Sequence, residues 1–532
     1  MKRLLAAAVP MRLRGRLRRL QPEHAIAARA FDAVFYLKTY PDVGEVGADP
    51  LDHFMTYGWR EGRDPSPDFS VSAYLEAFPE VAEQGANPFV HWITSGRPRA
   101  VRPESPQGFR YDVIARLKPV EARIPTARDA AAPRSDLTAA FAVSRGGLAR
   151  LHVTFSHDDY SANLGGLQLS IGREAARLAE QGRDHLHLYP SRPWPVVRTA
   201  ADPGVLGVVW NGAPVGLFDP ADIAAALSAA AAADEGRSFA IHSLLGHAAE
   251  ETADILAAAG LREGVFWLHD FASLCAGFHL LRDDVQDCAA PPPDSAACNV
   301  CVYGPWRGRH LSEHARLFER LSLTVAAPSR ATLELWQAST TLPAARTVVL
   351  PHATLVERGR VPATPSDRPL RVAYAGLPVG HKGWPVFQAL ARRFADDRRY
   401  EFHHLGARGD ASLPATFRPV SAGADHPLAM RDALEAVEID AVLVWPLCRE
   451  TFSFVAYEAV AAGCAVVTGP DSGNVAAFVT ETGHGRVLDE AALAEAFESG
   501  SILDLARARR APMLYDLSYS ALTLDLAATT SA

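Results

Sequence analysis

Between residues 148 and 515 the chain alternates short apolar runs with longer, Ala-rich amphipathic stretches, and it completes this alternation twice. "ARLHVTFS" reads as a buried strand, followed by the polar turn "HDDYSANLGG" and the helical pattern "LQLSIGREAARLAEQG", which Gly182 closes. "DHLHLYP", "GVVW", "FAIHSLL" and "GVFWLHD" are further strands between helical segments. A second round starts near residue 368 with "RPLRVAYAG", the helix "GWPVFQALARRFADD", "YEFHHLG", "IDAVLVWP", a helix from about 452 and "CAVVTGP". Strands joined through helices need right-handed crossovers and give parallel sheets covered on both faces. The pattern predicts an α/β protein with two doubly wound, Rossmann-like domains, whose ligands sit at the C-terminal ends of the strands.

Ahead of this region the chain repeats itself. "FDAVFYLKTYPDVGEVGADPLDHFMTYG" and "FSVSAYLEAFPEVAEQGANPFVHWITSG" align without gaps at a period of 38, within a repeat region spanning 31–104. Asp49 and Asn87 stand at N-cap positions, Pro50 and Pro88 at the first helical position, and Gly58 and Gly96 at the stop. Helices this short bury their aromatics only by stacking on each other, so the two units are expected to pack as a small helical region. His53 and His91 recur on the helix faces and read as structural. Residues 105–147 mix Pro, Ala and charge with little periodicity and read as a linker. The remaining boundaries are a basic segment over 1–30, a first α/β domain over 148–355 with a Cys-containing insertion at 275–304, a second over 356–515, and a tail over 516–532.

Charge narrows the partners. The chain carries a net −8, but its first twenty residues hold seven Lys or Arg and no acid, leaving −15 on the rest. So acidic a body is a poor nucleic-acid binder. The basic start reads either as an interfacial helix drawn to anionic lipid or as a frayed terminus. A cleaved signal fits less well, because "LLAAAV" is short and Pro10 follows it. No apolar run approaches the ~20 residues of a membrane span. Six cysteines, unevenly placed in 532 residues, suit a reducing cytoplasm.

In the second α/β round, "LVWPLCRETFSFVAYEAVAAGCAVVTG" holds Glu450 at the mouth of a strand and Glu458 within an apolar helix. A buried carboxylate costs several kcal/mol unless it is bonded or paired. Backbone N–H groups near Phe452 and Ser453, at the helix start, suit an anion such as a diphosphate. Glu450 can accept bonds from sugar hydroxyls, and Glu458 from a ribose. The plain alternative for Glu458 is an ion pair with a Lys or Arg.

The segment "RETFSFVAYEAVAAGCAVVTGPDSGN" resembles the E-x7-E signature of retaining glycosyltransferases of the GT-B fold, the GT4-like family. The resemblance implies that Glu450 contacts the donor sugar and Glu458 the nucleotide ribose. "VAYAGLPVGHKGW" is similar to the family's phosphate loop, with Lys382 as the cation; Leu377 and Pro378 stand where the family usually carries an Arg, and His381 is a partial substitute. "NLGGLQLSIGREAARLAEQG" resembles the glycine turn, implying that Gly165 and Gly166 approach the donor phosphates. "FWLHDFASLCAGF" resembles the stretch whose His lies near the reaction centre, here His269 with Asp270 beside it. "TVAAPSRATLELW" brings Ser329 and Arg330 to the cleft. The repeats resemble modules fused to bacterial surface-polysaccharide glycosyltransferases.

Cys275, Cys288, Cys298 and Cys301 form C-x12-C-x9-C-x2-C. The terminal pair has the spacing of a structural zinc site, while the other spacings suit buried small hydrophobes. Cys448 and Cys464 read as core.

The expected activity is transfer of a sugar, with retention, from a nucleoside-diphosphate sugar to a glycan or lipid-linked acceptor. The expected place is the cytoplasm, peripherally at the inner face of the membrane. Glu450, His269 and Lys382 are the expected catalytic group. The transfer requires no cofactor, and adjacent Asp158 and Asp159 precede the glycine turn without forming a metal site. Two rivals stand beside this reading: a nucleotide-sugar epimerase of the same fold, and a non-catalytic glycan-binding or scaffold protein.

Overall fold

The computed structural model describes residues 22–96, 108–230, 236–361, 368–421, 423 and 426–530. The first 21 residues, and with them most of the expected basic segment, lie outside the described residues. The chain forms two compact units. The smaller comprises the chain up to Pro119 with Arg282–Val285 and Pro291–Pro305, and the larger comprises Val120–Leu281, Gln286–Ala290 and Trp306–Ala532.

In the smaller unit the two repeats fold alike. Asp32 caps helix Ala33–Thr39 and Ser70 caps Val71–Ala77; Pro41–Glu45 matches Pro79–Glu83; Asp49 caps Pro50–His53 and Asn87 caps Pro88–Thr94. His53 Nδ1 lies 3.0 Å from the Tyr36 hydroxyl and His91 Nδ1 2.8 Å from that of Tyr74, so each histidine ties its helix to the first helix of its own repeat. Phe54 meets Phe89 edge-on at 5.7 Å, and this contact joins the repeats. They differ at one point: the first continues through a π-turn at Phe54–Gly58, where the second stays α-helical to Thr94.

The larger unit holds two sheets. The first has the spatial order Arg346–Val349, Ser322–Ala327, Glu263–Trp267, Ser238–Ile241, Leu151–Phe155, Asp184–Pro190, Leu206–Trp210, Ala213–Phe218. The chain starts in the middle and winds outward in both directions, so the switch of direction falls between Leu151–Phe155 and Ser238–Ile241. One expectation is corrected here. "GVVW" was read as one more strand of a parallel sheet, yet Leu206–Trp210 runs antiparallel to both its neighbours. The cause is Asn211-Gly212, both at positive φ, which turn the chain straight back into Ala213–Phe218 as a two-residue hairpin.

The second sheet is parallel throughout, in the order Thr416–Pro419, Tyr400–Gly406, Leu370–Ala375, Ala441–Leu443, Ala465–Thr468, Gly485–Val487. Its switch lies between Leu370–Ala375 and Ala441–Leu443. Each sheet has its own core, one around Phe155, Leu188, Phe239 and Leu317, the other around Leu434, Val442, Val460 and Val466.

Strand Ala353–Arg360 pairs antiparallel with Met513–Tyr519, so the chain crosses between the lobes twice, side by side. The region read as a tail contains the end of that strand and helix Thr523–Thr530. Leu522 and Leu526 pack against Trp267, Val265 and Ala240 of the first lobe, and the Trp267 indole N–H donates to the Thr523 hydroxyl at 3.1 Å. The region read as a linker holds helices Phe109–Arg116 and Arg134–Ala142; Leu137 and Phe141 of the latter are buried in the first lobe's core.

Candidate active site

Two loops leave the second sheet at its switch point, the place where doubly wound sheets hold ligands. One follows Leu370–Ala375 and closes with the 3-10 turn Gly380–Lys382. Gly383 ends it at φ +84, and any side chain there would meet the Trp445 carbonyl oxygen at 1.9 Å. Only glycine lets this loop lie against the second loop, which follows Ala441–Leu443. Glu450 sits on that second loop. Its backbone pairs with Gly473, where φ is +63 and a Cβ would lie 2.7 Å from the Glu450 carbonyl oxygen. The two loops therefore present their charged groups to each other: Lys382 Nζ lies 2.5 Å from Glu450 Oε1. Burial works to lower the Lys382 pKa, but the charge and hydrogen bond of Glu450 prevail, and it stands above its ordinary value.

The helix expected from about 452 begins at Phe454. Ser453 takes the capping position instead, its hydroxyl accepting from Ala456 N–H at 3.4 Å. The first-turn N–H groups thus belong to Phe454 and Val455, beyond Phe452 and Ser453. Neighbouring side chains brace this turn. Arg449 is held bidentate by Asp287 at 2.8 Å, and His381 stacks on His279 at 4.7 Å. Thr451 donates to the His269 carbonyl at 2.9 Å and accepts, on its own carbonyl, the Thr332 hydroxyl at 3.2 Å. Thr332 is in turn bonded by Ser329, which caps helix Arg330–Ser339; Arg330 itself is exposed.

Glu458 is buried, 8 % exposed, and burial pushes its carboxyl up to about 8 against the charge of Arg173. Arg173 comes from the first lobe's helix Gly166–Glu180 and lies over the Tyr519 ring at 3.6 Å and the Phe454 ring at 5.5 Å. The charge of Arg173, from the other lobe, opposes this rise without reversing it, and among the described residues no ion pair joins the two.

In the first lobe, Gly165 precedes and Gly166 opens that helix, and a Cβ on Gly166 would stand 3.1 Å from the Phe454 ring. The glycine turn thus faces the start of the second lobe's helix. Asp158 is bonded by the Gln168 amide at 2.8 and 2.9 Å, and Asp159 by Ser161, so both serve the turn itself. Asp270 accepts from the Ser243 hydroxyl and Ala272 N–H, and burial raises its carboxyl pKa.

His269 is not alone. Its Nε2 lies 2.9 Å from His242 Nδ1 and its Nδ1 3.1 Å from His352 Nε2. His242 Nε2 lies 3.1 Å from Glu174 Oε2, and Glu174 Oε1 accepts Thr523 N–H at 3.0 Å. Both ring nitrogens of His269 are taken by other histidines, which leaves it none for the direct sugar or acceptor contact expected of it. Burial would raise the Glu174 carboxyl, but the hydrogen bonds from His242 and Thr523 hold it below its ordinary value. Burial keeps His269 well below its ordinary pKa and His352 at about 3. Glu174, His242 and His352 were missed in the sequence. A signal was present for Glu174, which falls on the helix face of buried Ile171 and Leu178.

Cys275, Cys288, Cys298 and Cys301 are each half-buried; the first two belong to the larger unit and the last two to the smaller. Among the described residues no group of three or more His, Cys, Asp or Glu is arranged to hold a metal ion. Cys448 and Cys464 are buried in the second lobe, donating to the carbonyls of His381 and Ile439. Among the described residues no helix is long and apolar enough to cross a membrane.

No family model and no curated protein matches the chain. Among solved structures it is similar to a sucrose-phosphate synthase from Thermosynechococcus elongatus, at 15 % identity over 68 % of this chain and 91 % of that one, with a TM-score of 0.42. It is also similar to Anabaena HepE in complex with UDP-glucose, at 14 % identity over 72 % and 99 %, TM-score 0.40. A third is WaaG, a glycosyltransferase involved in lipopolysaccharide biosynthesis, at 14 % identity over 68 % and 94 %, TM-score 0.38. With each score below 0.5, the functional reading rests on the chain's own residues.

Proposed function

We propose that this chain is a GT-B glycosyltransferase that moves a sugar, with retention, from a nucleoside-diphosphate sugar to a glycan or lipid-linked acceptor. The observation that carries the reading is the Lys382–Glu450 pair at the second lobe's switch point, beside the capped start of helix Phe454–Ala461. A diphosphate bound at the helix start meets N–H groups and the positive end of the helix. It competes with Glu450 for Lys382, whose raised pKa keeps it cationic. Glu450, so released, accepts hydrogen bonds from the donor sugar, while Lys382 and the helix start stabilise charge on the departing diphosphate. Glu458 takes the ribose. In this reading the leaving diphosphate receives the acceptor proton, and the protein's work is positioning. The transfer step calls for no cofactor, and metal analysis of purified protein tests whether the cysteines carry zinc. Surface-polysaccharide synthesis at the inner face of the membrane is the setting that the repeats and basic start suit.

The test is to incubate the protein with a panel of nucleotide sugars and follow release of UDP or GDP. Glu450→Gln should remove most turnover with the fold intact. Lys382→Ala should weaken donor binding by about 1.5–3 kcal/mol, the range for a hydrogen bond to a charged group. Release of a changed nucleotide sugar without free diphosphate would replace the transferase reading with the epimerase, and no reaction with any donor would favour a scaffold.

A further inference from the structure

The glutamate and three histidines described above lie at the C-terminal edge of the first sheet. His242 follows strand Ser238–Ile241, His269 follows Glu263–Trp267, and His352 precedes the crossover strand Ala353–Arg360. Glu174 reaches them from helix Gly166–Glu180 and is fully buried, as is His242.

Counting donors decides how the protons are arranged. A neutral imidazole carries one N–H and one bare nitrogen. An ionised carboxylate only accepts, so the His242 nitrogen facing Glu174, Nε2, carries the hydrogen. Its Nδ1 is then bare and accepts from His269 Nε2–H. His269 Nδ1 is bare in turn and accepts from His352 Nε2–H. Every hydrogen points toward Glu174. The far end of the chain is His352 Nδ1, a bare acceptor on a side chain whose residue is 5 % exposed, and it has no partner among the described residues. That ring lies 5.1 Å from Phe452 and 6.1 Å from Phe454, the residue that opens the second lobe's helix.

We propose that Glu174 fixes the polarity of this chain, so that His352 presents a bare Nδ1 beside the helix start and takes a hydrogen bond from a sugar hydroxyl of the ligand. The ligand half of the proposal rests on the glycosyltransferase reading; the polarity does not. Glu174 and His242 are positioning residues, and His352 is the group that touches the ligand. A change at Glu174 should reverse the chain. Thr523 N–H holds one oxygen of residue 174 as an acceptor. In Glu174→Gln the carboxamide oxygen stays on that N–H and its NH2 faces His242 Nε2. Each histidine must then shift its hydrogen to Nδ1, and His352 becomes a donor.

The experiment is 15N NMR of the full chain, labelled selectively on histidine at pH 8, with the three resonances assigned from single-histidine variants. The expected result is the Nε2–H tautomer at His242, His269 and His352 in the unmodified protein, and Nδ1–H at all three in Glu174→Gln. An Nδ1–H tautomer or an imidazolium at any of the three in the unmodified protein overturns the polarity, and this holds even if the variant fails to fold. Unchanged tautomers in a folded Glu174→Gln protein overturn the role of Glu174. UDP-glucose, GDP-glucose and ADP-glucose are then added in turn. A binding sugar nucleotide should move His352 Nδ1 while His242 stays in place. Binding seen elsewhere with His352 Nδ1 unmoved overturns the hydroxyl contact. No binding of any of the three overturns the ligand assignment along with the glycosyltransferase reading, and the tautomers still decide the polarity.

Discussion

The two lobes share a topology but use it differently. The strand at the switch of the first sheet reads Leu-His-Val-Thr-Phe over Leu151–Phe155, and that of the second reads Leu-Arg-Val-Ala-Tyr-Ala over Leu370–Ala375. The apolar skeleton is the same. At the alternate positions the first lobe buries His152 and Thr154, where the second has Arg371 and Ala373. The Thr154 hydroxyl lies 2.8 Å from His185 Nε2 and 2.9 Å from His187 Nδ1 on the next strand. A buried polar network of this kind is costly unless its members are bonded, and when bonded it fixes one arrangement. The first lobe therefore carries oriented imidazoles at its switch strand, where the second has Ala373, and the second lobe's Lys382 and Glu450 sit on loops at its rim.

Acid should separate the lobes most strongly. Burial holds His152, His187 and His314 at about 4 and His247, His310 and His352 at about 3, below the ordinary 6.5. The unfolded chain takes up protons that the native lobe refuses. Their contribution to stability is complete above pH 6.5 and falls as the pH drops toward 4, by up to about 1.4 kcal/mol per pH unit for each histidine. Glu458 has the opposite sign: its carboxyl, near 8 in place of 4.5, keeps a proton that the unfolded chain releases, so its contribution is lost as the pH rises through that window. Pulse proteolysis with fragment mapping should show the first lobe opening first at pH 5, and the second lobe's margin narrowing at pH 8.5. Equal opening of both at pH 5 would break the contrast.

Glu174→Ala comes next in size. It leaves His242 and Thr523 N–H without their buried acceptor and should cost about 3–5 kcal/mol in urea unfolding. Glu458→Gln should have a smaller effect: stability at pH 5 stays within about 1 kcal/mol, while the loss between about pH 5 and 8 disappears. A Glu458→Gln protein that keeps this loss would assign it to another group. The smallest effect is expected for Thr451→Val, which removes one bond to the His269 carbonyl; a drop of about 1 kcal/mol in thermal unfolding is expected.

The features legible in the sequence were those with a short period. Asp184–Pro190 and Tyr400–Gly406 match their apolar runs residue for residue, because a strand declares itself over a few positions. The hairpin after Trp210 was signalled by Asn-Gly and passed over, since "GVVW" alone fits either direction of strand. Glu450 and Lys382 were read separately, 68 positions apart, and only the fold shows them bonded to each other. Glu174 was hidden for a different reason. Its place on the helix face of Ile171 and Leu178 hinted at burial, but the groups that make it a buried acceptor lie 68 and 349 residues away. Pairings over such distances leave no local pattern.

The return of helix Thr523–Thr530 to the first lobe also bears on how the protein is made. Glu174 obtains one of its donors from a residue translated 349 positions later, and Trp267 obtains its acceptor 256 positions later. At about 5–20 residues per second, the ribosome takes roughly 20–70 s to cover the longer interval. Throughout it the nascent first lobe holds a buried carboxylate short of one partner and an apolar face, around Trp267 and Val265, that Leu522 and Leu526 have not yet covered. The second lobe has its whole parallel sheet once Val487 has emerged. The lobe synthesised first is therefore the one completed last.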